Sequence, residues 1–190
     1  APLRPPIEGI NHPKVLTLRN LQDMDQIDQY LQRKDVRRVA VIGAGFIGLE
    51  VAEQLHRLHK EIHIIERAPA VLPQAVEEMS SFLHAPLLEN GVKLHVHDGL
   101  QSIRGQGEGE IVLSLSSGKQ IQADLAILCI GVTPMSELAK DAQLATNPQG
   151  FVQVNDWMQS VSDADIYAVG DVIETKDMVF PDRKTTVALG

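Results

Sequence analysis

Three glycines and one acid have the spacing of a chemical site. Gly43, Gly45 and Gly48 form G-x-G-x-x-G within "RRVAVIGAGFIGLEVAEQLHRLHKEIHIIER", residues 37 to 67. Glu66 follows 18 residues after Gly48, close to the ~20 expected of an acid that binds a nucleotide ribose. Each residue has a physical task in such a site. Gly43 permits a sharp strand-to-helix turn. Gly45 has no Cβ, so its backbone can approach a pyrophosphate, and Gly48 lets the helix pack close to the strand. Amides around Phe46 and Ile47, with the positive end of the helix dipole, favour a diphosphate. The candidate cradle is therefore Gly43, Ala44, Gly45, Phe46, Ile47 and Gly48. Glu66 would accept hydrogen bonds from both ribose hydroxyls and repel a 2′-phosphate, which favours NAD(H) over NADP(H). Arg67 pulls the other way, since a guanidinium pairs with phosphate. The plainer alternative is that the glycines serve only turn and packing. The flanking strand and the terminal acid weigh against it.

The elements that must position these residues are legible on either side. "RRVAVIG" and "EIHIIE" are apolar, β-rich runs without alternation, as expected of strands buried on both faces. Between them "FIGLEVAEQLHRLHK" predicts a helix with Ile47, Val51, Leu55 and Leu58 along one stripe. Upstream, "VLTLRNLQDMDQIDQYLQRK" predicts a short extended piece, then a helix capped by Asn20 or Asp23. Its apolar face would carry Leu21, Met24, Ile27, Tyr30 and Leu31. Downstream, "AVEEMSSFLHAPLLENG" predicts a helix ending at Gly91, with a kink or early break at Pro86.

"VKLHVHD" alternates strictly, and "EIVLSLSSGKQIQAD" predicts a hairpin turning at Ser117-Gly118. The Gly-rich "RGQGEGE" before it is expected to be the hairpin's approach or a surface loop. "LAILCIG" is another buried strand and "MSELAKDAQL" a short helix. "GFVQVNDWMQ" and "ADIYAVGD" are expected as two more short strands. This order predicts an α/β chain: a Rossmann-like three-layer fold with a parallel central sheet and a small antiparallel β insert.

Composition narrows the function. The net charge of −8 argues against nucleic acid or an anionic membrane as a partner. No apolar run approaches the roughly 20 residues of a bilayer span, and "APLRPPIEGI" has no signal-peptide apolar core. A cytoplasmic protein is expected. The single cysteine, Cys129, sits in an apolar strand without an adjacent base, as a small buried hydrophobe does. His95 and His97, alternating with apolar residues, suit a solvated strand face better than a metal site, because no third ligand is evident. His56 and His59, three apart on a helix, also lack a zinc motif around them. No metal ligands and no catalytic residues are expected within the chain.

"GAGFIGLE", "AILCIGVTP" and "ADIYAVGD" together resemble the pyridine nucleotide-disulfide oxidoreductases, flavoproteins with two dinucleotide-binding domains. The stretches "PPIEGINHPKVLTLRNLQDMDQI" and "GDVIETKDMVFPDRKTTVALG" are most similar to the branch of coenzyme A-disulfide reductases and NADH oxidases or peroxidases. The resemblance implies that the chain is part of a larger enzyme. Residues 1–14 would be the linker leaving an FAD domain, 15–146 the NAD(H)-binding domain, and 147–190 an incomplete segment returning to the FAD domain. It also implies a hydride passing from NADH to FAD and on to a cysteine-based centre outside this chain. The final acceptor would be a small disulfide, oxygen or peroxide, and the whole enzyme a homodimer.

By the same resemblance, Glu50 would sit near the nicotinamide; on residue chemistry alone it is a first-turn acid favoured by the helix dipole. Phe46 would shield the flavin until NADH displaces it. Gly131 and Val132, in the loop that ends at Pro134, would lie beside the dinucleotide. Asp171 would accept a ribityl hydroxyl of FAD, with Gly170 giving access. A stand-alone NAD(H)-binding module without catalysis is the competing reading. A hydroxy-substrate dehydrogenase is a third reading and is not favoured.

Overall fold

The computed structural model describes residues 2–75, 77–106, 109–176 and 184–185, with the backbone alone at 77–78, 175–176 and 184–185. The chain forms two compact units, Pro2–Gly131 and a second beginning at Val132. In the first, the order is β1 (Val15–Thr17), α1 (Leu21–Leu31), β2 (Arg38–Ile42), α2 (Phe46–Arg57), β3 (Glu61–Ile65), α3 (Glu77–Glu89) and β4 (Lys93–His95). Then come β5 (Leu100–Gln106), β6 (Glu110–Leu115), β7 (Gln120–Ala123) and β8 (Leu125–Leu128).

Five strands make a parallel sheet in the order β1-β8-β2-β3-β4. Its central strands are apolar throughout because both faces are covered. On one face Val39, Val41, Ile62, Ile64, Leu125 and Ile127 pack with Ile27, Ala52 and Leu55 of the helices. On the other, Ala40, Ile42, Ile65, Ala126 and Leu128 meet Ile103, Ile111, Leu113 and Ile121 of the antiparallel sheet β5-β6-β7. The result is the three-layer, Rossmann-like fold that the sequence predicts, with its parallel central sheet and small antiparallel insert.

Helix ends follow their local chemistry. The Asn20 side chain caps α1 by accepting from Asp23 N at 2.9 Å. α3 closes at Gly91, φ +76°, with Val92 N donating to Leu87 O and Gly91 N to Leu88 O, the paired bonds of a Schellman motif. Residues 2–14 form no helix or strand of their own. Glu8 nevertheless bridges Ser102, and Ile10 is buried against the antiparallel sheet.

Several expectations are corrected. Of the kink or early break expected at Pro86, the break does not occur, since α3 continues to Glu89. The buried face of α2 is Gly48, Ala52 and Leu55, whereas Ile47 and Leu58 are 37% and 48% exposed. On α1, Leu21 and Met24 are exposed and only Ile27 is fully buried. Residues 104–106, expected as the hairpin's approach or a surface loop, belong to β5, which pairs with β6. β4 stops at His95, and His97 takes a left-handed φ of +55°.

The second unit carries α4 (Glu137–Asp141), β9 (Val152–Gln153), β10 (Ile173–Lys176) and β11 (Lys184–Thr185), the strands in the order β11-β10-β9. Asn147 organises it. Its Oδ1 accepts from Gln149 N and Phe151 N, and its Nδ2 donates to Glu174. "ADIYAVGD" is not a strand. Tyr167 makes an isolated bridge with Gln159, and Gly170–Val172 turn as a short 3-10 helix. The polar side chains here satisfy the backbone locally, as Asp163 does for Asp165 N at 2.9 Å.

At the amino ends of the strands a depression of about 460 Å³ is lined by Lys34, Asp35, Arg37, Arg38, Glu61, Glu110 and Asp124. It is a structural ion network. Asp124 accepts from the backbone of Arg37 and Arg38 at 2.9 and 2.8 Å and from the Arg38 guanidinium at 2.8 Å. Burial pushes the Asp124 carboxyl up, but these bonds outweigh it and hold it below its ordinary value. Asp124→Ala orphans two amides and leaves the Arg38 guanidinium with Glu110 and Gln122 alone, so it should cost about 2 kcal/mol. Urea unfolding with an unchanged m-value would measure this.

Candidate functional site

β2 and β8 are neighbours, but the chain runs outward from β2 through β3 to β4 and returns on β2's other side as β8. Such a reversal leaves a crevice at the carboxyl ends of the strands, where open α/β sheets bind ligands. Ile42 ends β2 and Phe46 begins α2, so Gly43, Ala44 and Gly45 make the whole connection.

The three glycines are not equivalent. Gly43 has φ +103°, and a Cβ there would lie 2.5 Å from Cys129 O. A Cβ on Gly48 would lie 2.0 Å from Gly43 O. Both glycines are demanded by the protein's own backbone. Gly45 has φ −76°, open to any residue, and the nearest atom to its added Cβ is Gln74 Nε2 at 3.8 Å. Turn geometry and packing therefore do not explain Gly45. The space beside it is open to an approaching group.

Gly45 is the N-cap of α2 and supplies no side-chain cap. The first bond of this helix runs from Leu49 N to Gly45 O at 3.0 Å. The amides of Phe46 and Ile47 thus precede any partner within the helix, and the dipole adds positive potential there. Phe46 is 58% exposed, which is unusual for an aromatic in a tight turn. Glu50 is also exposed, one turn into the helix.

Glu66 leaves the end of β3 and reaches back over this turn. Its Oε2 accepts from Ala44 N at 2.8 Å and its Oε1 from Ala68 N at 2.7 Å. The carboxylate is thereby fixed beside the cradle, with lone pairs remaining for further donors. Arg67 is exposed, its aliphatic stem passing Gly99. Gly131, φ +105°, follows β8, and no atom lies within 4 Å of an added Cβ. Val132 is 40% exposed. In the second unit, Gly170 has φ +79° and opens the turn that carries the exposed Asp171.

Sequence reasoning does not find Leu72 and Gln74. Leu72 N donates to Ala44 O at 2.7 Å, bracing the turn from outside, and Gln74 is the side chain nearest Gly45. No spacing signal marks either. Cys129 lies under the turn with its thiol pushed up to about 12 by burial, so it is inert at neutral pH. Among the described residues no cluster of three or more His, Cys, Asp or Glu could hold a metal, and no helix is long and apolar enough to cross a membrane.

The model of the family described as pyridine nucleotide-disulphide oxidoreductase matches residues 1–187. An NADH oxidase from Methanocaldococcus jannaschii is 35% identical over 179 residues, 94% of this chain and 39% of that protein. Among solved structures, the NAD-dependent persulfide reductase from A. fulgidus aligns with a TM-score of 0.91 at 34% identity, over 99% of this chain and 34% of its own. The reduced CoADR-RHD of Bacillus anthracis aligns with a TM-score of 0.91 at 40% identity, over 100% of this chain and 33% of its own. The chain thus spans about two fifths of that oxidase and a third of each solved chain.

Two alanine substitutions separate packing from binding. Gly48→Ala drives a methyl into Gly43 O and should cost at least about 2 kcal/mol. Gly45→Ala, on open and ordinary backbone, should leave stability within about 0.5 kcal/mol. Thermal or urea unfolding of the pair would show the contrast.

Proposed function

We infer the function from one premise: the chain belongs to the pyridine nucleotide-disulphide oxidoreductase family. Most of its first unit belongs to the NADH-binding part of an FAD-dependent enzyme. The observation that carries this reading is the unclaimed space at Gly45, set between two glycines that the backbone does require. The amides of Phe46 and Ile47 donate to the diphosphate, and Gly45 admits it. Glu66, held by Ala44 and Ala68, accepts from the adenosine ribose hydroxyls and disfavours a 2′-phosphate. Arg67 is the side chain that would tolerate NADPH. Gly131 and Val132 contact the dinucleotide, and Glu50 orients the nicotinamide.

In the full-length protein a bound FAD would supply the redox chemistry between NADH and a cysteine-based centre outside this chain. Asp171 and Gly170 would hold its ribityl chain, and Phe46 would screen the flavin when NADH is absent. The acceptor is a small disulfide or persulfide, oxygen or peroxide. Names among the relatives support that range: NADH oxidases and a coenzyme A disulfide reductase of Staphylococcus haemolyticus. We assign residues 15–146 to NADH binding, 1–14 to the link from an FAD domain and 147–190 to the return, within a cytoplasmic homodimer.

Calorimetric titration with NADH and NADPH tests the reading. NADH should bind more tightly, and Glu66→Gln, which keeps one acceptor but no charge, should weaken it about tenfold and narrow the preference. Equal affinity for both ligands, untouched by that substitution, overturns the ribose assignment.

A further inference from the structure

A line of polar side chains runs along the β3–β4 edge of the parallel sheet, buried at His63, half-buried at His95 and exposed at Lys119, Lys93 and Glu61. Lys119 Nζ lies 3.2 Å from His95 Nδ1, His95 Nε2 lies 3.2 Å from His63 Nδ1, and His63 Nε2 lies 3.4 Å from Glu61 Oε1. Lys93 Nζ closes the line on the same Glu61 oxygen. The two rings are within 9° of parallel with centroids 5.4 Å apart. That separation is the 3.2 Å contact plus roughly one ring width, so the rings meet edge to edge through a hydrogen bond and not face to face.

The ends dictate the direction of every hydrogen. An ammonium only donates and a carboxylate only accepts. His95 Nδ1 must therefore accept from Lys119, so His95 carries its proton on Nε2 and donates it to His63 Nδ1. His63 then carries its own proton on Nε2 and donates to Glu61. Each link is satisfied only when both imidazoles are neutral and in the Nε2–H form. An added proton finds no acceptor. On His95 Nδ1 it faces the Lys119 ammonium. On His63 Nδ1 it faces the His95 N–H, or turns His95 over and moves the clash to Lys119.

This line ties down an edge. β4 has three residues and only β3 beside it in the sheet. The segment that carries the ribose acid hangs from it. Glu66 N donates to His95 O at 2.8 Å, His97 N to Ala68 O at 2.7 Å, and Asp98 N to Glu66 O at 3.1 Å. Glu66 in turn reaches Ala44 in the cradle. A disturbance at the His95 ring is thus one peptide unit from the residue that would read the ribose.

We propose that Lys119, His95, His63 and Glu61 form a directional relay that positions the adenosine subsite, and that protonating it weakens dinucleotide binding. The proposal rests on the NADH reading above. The charged groups facing the two rings are Glu61 on β3, Lys93 on β4, Asp98 beyond β4 and Lys119 in the β6–β7 turn. Burial, then the nearby Lys119 and His63, holds His95 down at about 4, and burial lowers His63 against the pull of Glu61. Both groups thus take up fewer protons folded than unfolded. The stability they support is full above their ordinary value of about 6.5 and is lost as the pH falls toward about 4.

The test measures the affinity of the full-length protein for NAD+, the acid-stable form of the dinucleotide, at about pH 7.5 and about pH 4, the value to which His95 is held down, with circular dichroism confirming the fold at each. At the lower pH about half of the His95 rings carry the added proton, so the wild type should lose about twofold more than His95→Gln, which does not titrate. The same loss in His95→Gln overturns the positioning role alone. No dinucleotide binding at either pH overturns the function proposed above and this role with it. Nitrogen-15 spectra of the wild-type imidazoles decide the relay without a ligand or a variant. At neutral pH both rings should be Nε2–H tautomers, and an Nδ1–H or doubly protonated ring at either position sinks the proposal.

Discussion

The closeness of α2 to the end of β2 governs the site. With 2.0 Å from an ideal Cβ on residue 48 to the carbonyl oxygen of residue 43, only glycine permits this approach. β2 cannot yield, because β3 and β8 pair with it on both sides and apolar layers cover both its faces. The helix is therefore pinned by its first turn, and its amide-bearing tip projects past the strand end. Everything that would touch a diphosphate inherits its place from that contact.

The sheet then assigns different work to its two faces. Odd-numbered residues of β2 and even-numbered residues of β3 meet the helices, and the alternate residues meet the antiparallel insert. His63 shares the insert-side face with Ile65, which brings a polar line into an otherwise apolar layer. Buried polar groups are tolerated when each is hydrogen-bonded, and among the described residues no buried side-chain nitrogen or oxygen lacks a partner. The ion network around Asp124 meets the same requirement at the strands' amino ends. The chain thus keeps ionic structure at one end of its sheet and the exposed cradle at the other.

Much of this is legible in the residues. The strands "RRVAVIG", "EIHIIE" and "LAILCIG" announce a sheet covered on both faces, and the glycine spacing announces a strand-to-helix turn. Asn20 and Gly91 mark helix ends through chemistry that operates within a few residues. The misreadings share a cause. β5 has little pattern of its own and exists because β6 lies beside it. "ADIYAVGD" has strand propensity, but its pairing stops at a single bridge with residues 158–160, and Asp165 N bonds the Asp163 side chain. Ile47 and Leu58 fit the apolar stripe of α2, yet the register of the helix is decided by Gly48, which must face β2.

By itself, the sequence determined the parallel α/β class, the glycine turn from strand to helix and the acid at the end of β3, because periodicity and glycine conformation act over short distances along the chain. Only the tertiary structure decided that Glu66 is held by Ala44, and that His63, His95 and Lys119 meet. Those facts depend on which atoms from distant segments share a space, and spacing along a chain carries no record of that.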